Sequence, residues 1–364
     1  MKVQDLINEL EKLAPQSIAE EFDNVGLLCG DFNAEVSGIL ITLDCLEEVV
    51  DECIALKFNT IVTFHPIIFK GLKSITGKNY VEKMILKAIK NNINIYAIHT
   101  NLDNVNEGVN HKICEVLGLK NQKILIPQEN SIYKLIIYVP IKYSEKLRKA
   151  LFEAGAGAIG NYTECSFSFT GHGTFKGNEK TNPFVGNKNE RHTENEECLQ
   201  VIFEKFQQKK ILNALFEAHP YEEVAYEILK TENHNQTKGM GRYGNLENEM
   251  EEIEFLQFVR EKFHAKGIRH SKFLNKKIKS VAVLGGSGSF AIQCAKNVSA
   301  DILLTADLKY HDFFQAENTI LLADIGHYES EQFTKKLLFD YITKKFPNFA
   351  IRISSINTNP INYL

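Results

Sequence analysis

Short, unbroken apolar runs recur at both ends of this chain, each separated from the next by a segment with helical spacing. That alternation restricts the fold more than any other feature. In the first third, residues 38–43 (GILITL) read as a buried strand, 46–56 as a helix and 60–64 (TIVTF) as a strand. Residues 79–91 then read as a helix, 93–98 (INIYAI) as a strand and 106–117 as a helix. The last third repeats the style, with strands at 280–284, 301–305 and 319–323 and helices at 288–297, 308–316 and 329–344. Strands that are apolar throughout, rather than alternating, mark a parallel sheet covered by helices on both faces. The two ends are therefore expected to be halves of one largely parallel α/β domain.

The middle follows another order. Strand 132–139, helix 143–154, strand 163–170, a long polar stretch, strand 198–204, helix 206–217 and strand 222–229 form the β-α-β-β-α-β pattern of a ferredoxin-like unit. The polar stretch, 176–197, is rich in Asn, Glu, Thr and Lys and is expected to be a mobile surface loop. A length of 364 residues suits two or three domains. The expected division is an α/β core in two pieces, 1–127 and 238–364, interrupted by an inserted ferredoxin-like α+β domain at 128–237.

Charge and composition remove several function classes. Lys and Arg total 42 against 46 Asp and Glu, a net charge of −4 that provides no basic field and argues against nucleic acid. No apolar run approaches the roughly 18 residues of a membrane span. Val3, Leu6, Ile7, Leu10 and Leu13 at the start have helical spacing rather than the form of a signal peptide. The seven cysteines are scattered and contain no C-x-x-C, which argues against a disulfide framework or a cysteine zinc knuckle and fits a reducing cytoplasm.

Three strand ends carry the chemistry. Strand 60–64 ends in His65, strand 93–98 runs into His99 and Asp103, and strand 319–323 runs into His327 and Glu331. In an open parallel sheet such ends lie along one edge, where these folds place ligands. His327 and Glu331 are four residues apart, so on a helix they share a face and can grip one ion. Any single histidine here is more readily a strand-end or capping residue than a ligand, but matching placement makes His65, Asp103, His327 and Glu331 candidate metal ligands. Imidazole and carboxylate without thiolate suit zinc, iron, manganese or nickel.

Other segments are ambiguous. Gly285-Gly286-Ser287-Gly288 could cradle a phosphate or simply make a tight strand-to-helix turn. Asp307, Lys309, His311 and Asp312 could line the cavity or start a helix, and His219 and Glu222 read as structural. His99 could orient Asp103 or a water. No P-loop is present.

Six motifs, taken together, resemble one family. They are Glu21-Phe22-Asp23-Asn24-Val25-Gly26-Leu27, Phe64-His65-Pro66-Ile67-Ile68-Phe69, His99-Thr100-Asn101-Leu102-Asp103, Gly285-Gly286-Ser287-Gly288-Ser289, Ala306-Asp307-Leu308-Lys309-Tyr310-His311-Asp312 and Gly326-His327-Tyr328-Glu329-Ser330-Glu331. In this order they resemble the Nif-three-like dinuclear-metal proteins, labelled GTP cyclohydrolase 1 type 2 homologs. The middle resembles the PII-like or CutA-like insert of longer members, through Gly155-Ala156-Gly157-Ala158-Ile159-Gly160, Gly171-His172-Gly173-Thr174-Phe175 and His219-Pro220-Tyr221-Glu222-Glu223.

The resemblance implies a homohexameric toroid with metal pairs facing an inner cavity. By position it implies that His65, Asp103, His327 and Glu331 are ligands, whereas Phe64 stands where the family has the first histidine of a His-His-Pro triplet. Phe22 likewise replaces the family's tryptophan. The Phe64 departure leads us to expect one tightly held divalent ion, with a second weak or water-rich. The expected function is hydrolase-type chemistry on a nucleotide-like or other small substrate, through water whose pKa the ion lowers toward about 7. The alternative is a non-enzymatic metal-binding regulatory or scaffold ring, with the insert as ligand sensor or gate.

Overall fold

The computed structural model describes residues 1–364. They form two compact units, one made of Met1–Ile126 with Lys238–Leu364 and the other of Pro127–Thr237.

The first unit contains two sheets. One has five strands in the spatial order Gly26–Cys29, Asn94–Ala97, Thr60–Thr63, Ile39–Thr42, Ile351–Ile353. All its neighbours are parallel except Gly26–Cys29, which runs antiparallel to Asn94–Ala97. The other sheet has six strands, ordered Arg269–His270, Leu321–Asp324, Ile302–Ala306, Lys277–Ser287, Asn235–Glu251, Lys120–Gln128. Its strands Leu321–Asp324, Ile302–Ala306 and Lys277–Ser287 are mutually parallel, and Arg269–His270 and Asn235–Glu251 flank them antiparallel.

Every residue of Ile39–Thr42, Thr60–Thr63, Asn94–Ala97 and Ile302–Ala306 is buried, so the apolar runs are indeed interior strands. The single parallel sheet expected from the alternation is instead two mixed sheets. Burial on both faces gives a strand the same composition whichever sheet it joins, so an apolar run does not record its pairing partner. A common core joins the two. Ile41, Val62 and Tyr96 come from the first sheet, Val283 and Leu304 from the second. Helices Val3–Leu13, Val109–Leu117 and Thr334–Lys345 add Leu6, Ile113 and Leu338.

In the second unit the order is strand, helix, strand, strand, helix, strand. Its four antiparallel strands lie in the order Ser166–Phe175, His192–Glu204, Ile132–Pro140, Tyr226–Lys230. Alternate residues Leu135, Ile137 and Val139 pack onto Leu147 and Leu151 of helix Ile141–Glu153 and Ile211 and Leu215 of helix Gln208–Ala218. Residues 192–197, expected to belong to the polar loop, are strand and pair with residues 170–175. An edge ribbon with much of its surface in water carries no apolar period, which is why its sequence reads as loop.

Candidate metal centre

Parallel register sets up the first half of the centre. Thr42 is paired with Thr63, and each strand runs on by two residues, to Asp44 and His65. Asp44 Oδ1 lies 2.8 Å from His65 Nδ1, and the Thr358 hydroxyl donates to Asp44 Oδ2 at 2.7 Å. The second half comes from the other sheet. Ile302–Ala306 and Leu321–Asp324 run on to Asp307 and His327, and Asp307 Oδ2 lies 2.7 Å from His327 Nδ1. The strand ends thus converge across two sheets, not along the edge of one.

With each Nδ1 held by a carboxylate, the two Nε2 atoms face each other at 3.3 Å. Glu331 Oε2 lies 3.1 Å from both and makes no aligned hydrogen bond with either. Three lone-pair atoms at the corners of a triangle fit an ion better than they fit one another. For bonds of 2.0–2.1 Å, tetrahedral ligands are about 3.3 Å apart, which matches the triangle. A histidine backed by a carboxylate is also the usual support for a metal-binding imidazole. His65, His327 and Glu331 therefore form a donor set that could hold a divalent ion.

Asp103 is not among these three close donors. It lines the same cavity, and its Oδ1 is shut off from solvent without a hydrogen-bond partner. Burial, and then the negative charge of Glu331, push its carboxyl well above the usual carboxylate range. A cation between Asp103 and Glu331 would relieve both effects.

The three groups also shift one another's protonation. Burial opposes charge on His65, but Asp44 and Glu331 outweigh it and push the imidazole up to about 9. Burial likewise opposes charge on His327, and Asp307 and Glu331 raise it to about 11. Burial would raise Glu331, yet His327 and His65 beside it hold it at about 2.

The glycine turn serves Glu331. Gly286 has φ +70°, and a Cβ there would come within 2.3 Å of Glu331 Oε1. The Gly285 amide donates to Asn110 Oδ1 and the Gly286 amide to the Ser330 hydroxyl, both at 2.9 Å. With those amides occupied, the turn seats the glutamate and does not cradle a phosphate. Phe64 is completely buried, its ring centroid 5.0 Å from that of His65 and 5.2 Å from that of His99. It belongs to the core.

His99 has a carboxylate partner of its own. Its Nδ1 lies 2.9 Å from Asp23 Oδ1, while Asp23 Oδ2 accepts from the Thr100 amide and hydroxyl. Burial would raise Asp23, but His99 and Thr100 hold it at about 2. His99 lines a cavity of about 430 Å³ together with Phe22, Asp103, Phe290, His327 and Glu331. Lys309 and Asp312 make a helix start instead, the Lys309 amide donating to Asp312 Oδ2 at 2.8 Å, and His311 packs on Tyr310 and Phe314. His219 and Glu222 lie in the second unit.

Two supporting carboxylates had no role in the sequence reading, Asp44 and Asp23. Asp44 was findable, because it follows its strand by the same two residues as His65.

The sequence profile of Duf34/NIF3 (NGG1p interacting factor 3) matches residues 1–360. The chain belongs to this family. Duf34/NIF3 relatives include the GTP cyclohydrolase 1 type 2 homologs of Bacillus subtilis, 39% identical over 99% of this chain and 98% of that protein, and of Halalkalibacterium halodurans, 37% identical with the same coverage. Among solved structures, a Bacillus cereus protein related to NIF3 superposes with a TM-score of 0.83 at 37% identity, covering 100% of this chain and 99% of that one. Staphylococcus aureus SA1388 gives 0.80 at 32%, with the same coverage.

Proposed function

We propose that this Duf34/NIF3 member is a divalent-metal hydrolase acting on a small nucleotide-like substrate in the 430 Å³ cavity. The observation that carries this reading is the triangle of His65 Nε2, His327 Nε2 and Glu331 Oε2, with each imidazole backed by a carboxylate. These three residues would hold the ion, and Asp103 would complete its surroundings. When bound, a divalent ion supplies Lewis-acid polarisation and a lowered pKa for water. Asp44 and Asp307 fix the imidazole tautomers. His99, oriented by Asp23 at the cavity wall, has its Nε2 left to take or return a proton as general acid and base. Phe22 and Phe290, both largely exposed, offer ring faces at the cavity to a planar group.

The names of the relatives support a nucleotide-like substrate. Unit Pro127–Thr237 is, in this reading, an inserted ferredoxin-like module, supported by its element and strand order. Assembly as a homohexamer in the cytoplasm completes the proposal, the latter supported by seven free cysteines.

The test is turnover with defined metal loading. Protein stripped and reloaded with zinc, manganese, iron or nickel is assayed for formate release from GTP and for hydrolysis of phosphoesters and cyclic amides. Product formation that depends on metal and on His99 supports the reading. Full metal retention without turnover on any of these favours the non-enzymatic ring.

A further inference from the structure

The second unit contains a cavity of its own, about 530 Å³, lined only by residues between Tyr138 and Ala225. A carboxylate lies in its wall. Glu196 is only 8% exposed, and the Tyr221 hydroxyl donates to its Oε1 at 2.9 Å. Its Oε2 rests against Gly173, where a Cβ would come within 2.0 Å, so only glycine leaves the carboxylate this seat. Arg148 pairs with Glu145 and Glu197 and His192 with Glu194, while Lys176, which lines the same cavity, makes no ion pair with Glu196. Glu196 forms no ion pair within the chain. Burying a carboxylate with a single neutral donor is costly, and a cation from outside would offset that cost.

Aromatic side chains form part of the remaining wall, and the turn that carries one of them is held in place. His219 Nε2 donates to the Tyr138 carbonyl at 3.0 Å and its Nδ1 accepts from the Tyr221 amide at 3.1 Å, which holds the histidine neutral and locks the turn carrying Tyr221. Phe175 and Phe184 pack against the Tyr221 ring at centroid distances of 5.9 and 6.4 Å, and Phe169 adds a further face. Glu222 and Glu223 outnumber Lys176 among the charged lining groups. The molecule's close cluster of three metal donors is His65, His327 and Glu331, so this cavity has no chelating set for a bare divalent ion.

Aromatic faces attract a cation with an apolar body, and a lone carboxylate oxygen selects a head that donates N–H bonds. We propose that this cavity binds a small organic cation, an amidinium or guanidinium on an apolar or aromatic body, through Glu196. The inference does not depend on the metal centre.

Benzamidine is the probe, with benzamide as its neutral isostere, titrated calorimetrically into the full chain. The expected result is saturable benzamidine binding at least about 10-fold tighter than benzamide. Glu196→Gln should abolish that preference while metal content stays unchanged. Phe169→Ala, at a half-exposed edge position where folding is not at stake, should weaken benzamidine about fivefold. Equal binding of the two probes to the wild type, no saturable binding, a preference that survives Glu196→Gln, or unchanged affinity in Phe169→Ala would each overturn the proposal.

Discussion

Asp44 and His65 stand two residues beyond paired positions of neighbouring parallel strands, and their side chains meet at 2.8 Å. The sheet itself sets this contact, because the equal overhang of two registered strands brings any such residues side by side. Asp44→Asn keeps the shape but removes the charge that fixes the imidazole tautomer. Zinc affinity should fall about 10- to 100-fold, read by competition with a chromogenic chelator. Unchanged affinity would show that His65 does not reach the ion through Nε2.

Glu331→Gln should do more. The variant leaves two imidazoles facing a neutral amide, and retained metal after dialysis should drop to a small fraction of wild type. Its secondary structure by circular dichroism should stay native, since Gly286 leaves room for an isosteric amide. His327→Ala should behave alike. Wild-type metal content in either variant rules out these ligands.

Protonation of His65 and His327 should make metal binding dependent on pH. His65 and His327 have folded pKa values raised from 6.5, to about 9 and about 11. Their contribution to the stability of metal-free protein is complete below pH 6.5 and is lost as pH rises through those values. Glu331 works in the opposite sense, contributing above its usual 4.5 and losing that contribution as pH falls toward about 2. Stripped protein should therefore lose melting temperature between pH 9 and 11 more steeply than loaded protein. Zinc binding at pH 7 should release about two protons, measured by calorimetry in buffers of different ionisation enthalpy. Release of none would contradict the assignment.

Phe64 bears on stoichiometry. A phenyl ring donates no lone pair, so about one equivalent of metal should survive mild chelation in the wild type. Phe64→His buries an imidazole in the core and should destabilise stripped protein by about 1–3 kcal/mol. With excess metal it should retain about two equivalents by elemental analysis. Two equivalents in the wild type would refute the idea.

Excision of Pro127–Thr237 tests its autonomy. The strands at its borders, Lys120–Gln128 and Asn235–Glu251, are neighbours in one sheet, so a short Gly/Ser turn can rejoin them. The shortened chain should stay folded and keep its metal. Aggregation or metal loss would count against separability.

The apolar runs were legible because interior strands must be hydrophobic on both faces, and the His65, His327 and Glu331 positions were legible because they follow such strands. Pairing was not legible: nothing in Thr60–Thr63 and Leu321–Asp324 says that they belong to different sheets. Nor was the use of Gly286, whose role depends on a side chain 45 positions later. Asp44 was the avoidable omission, since its overhang equals that of His65.

His65 and His327 come from separate sheets and are 262 positions apart in the chain. During synthesis the first histidine must wait for most of the polypeptide before it has a companion. No shorter nascent chain holds the triangle, so a scarce cellular ion cannot be captured in it early. Any ion held by these three donors would therefore enter only after both sheets have met around a common core.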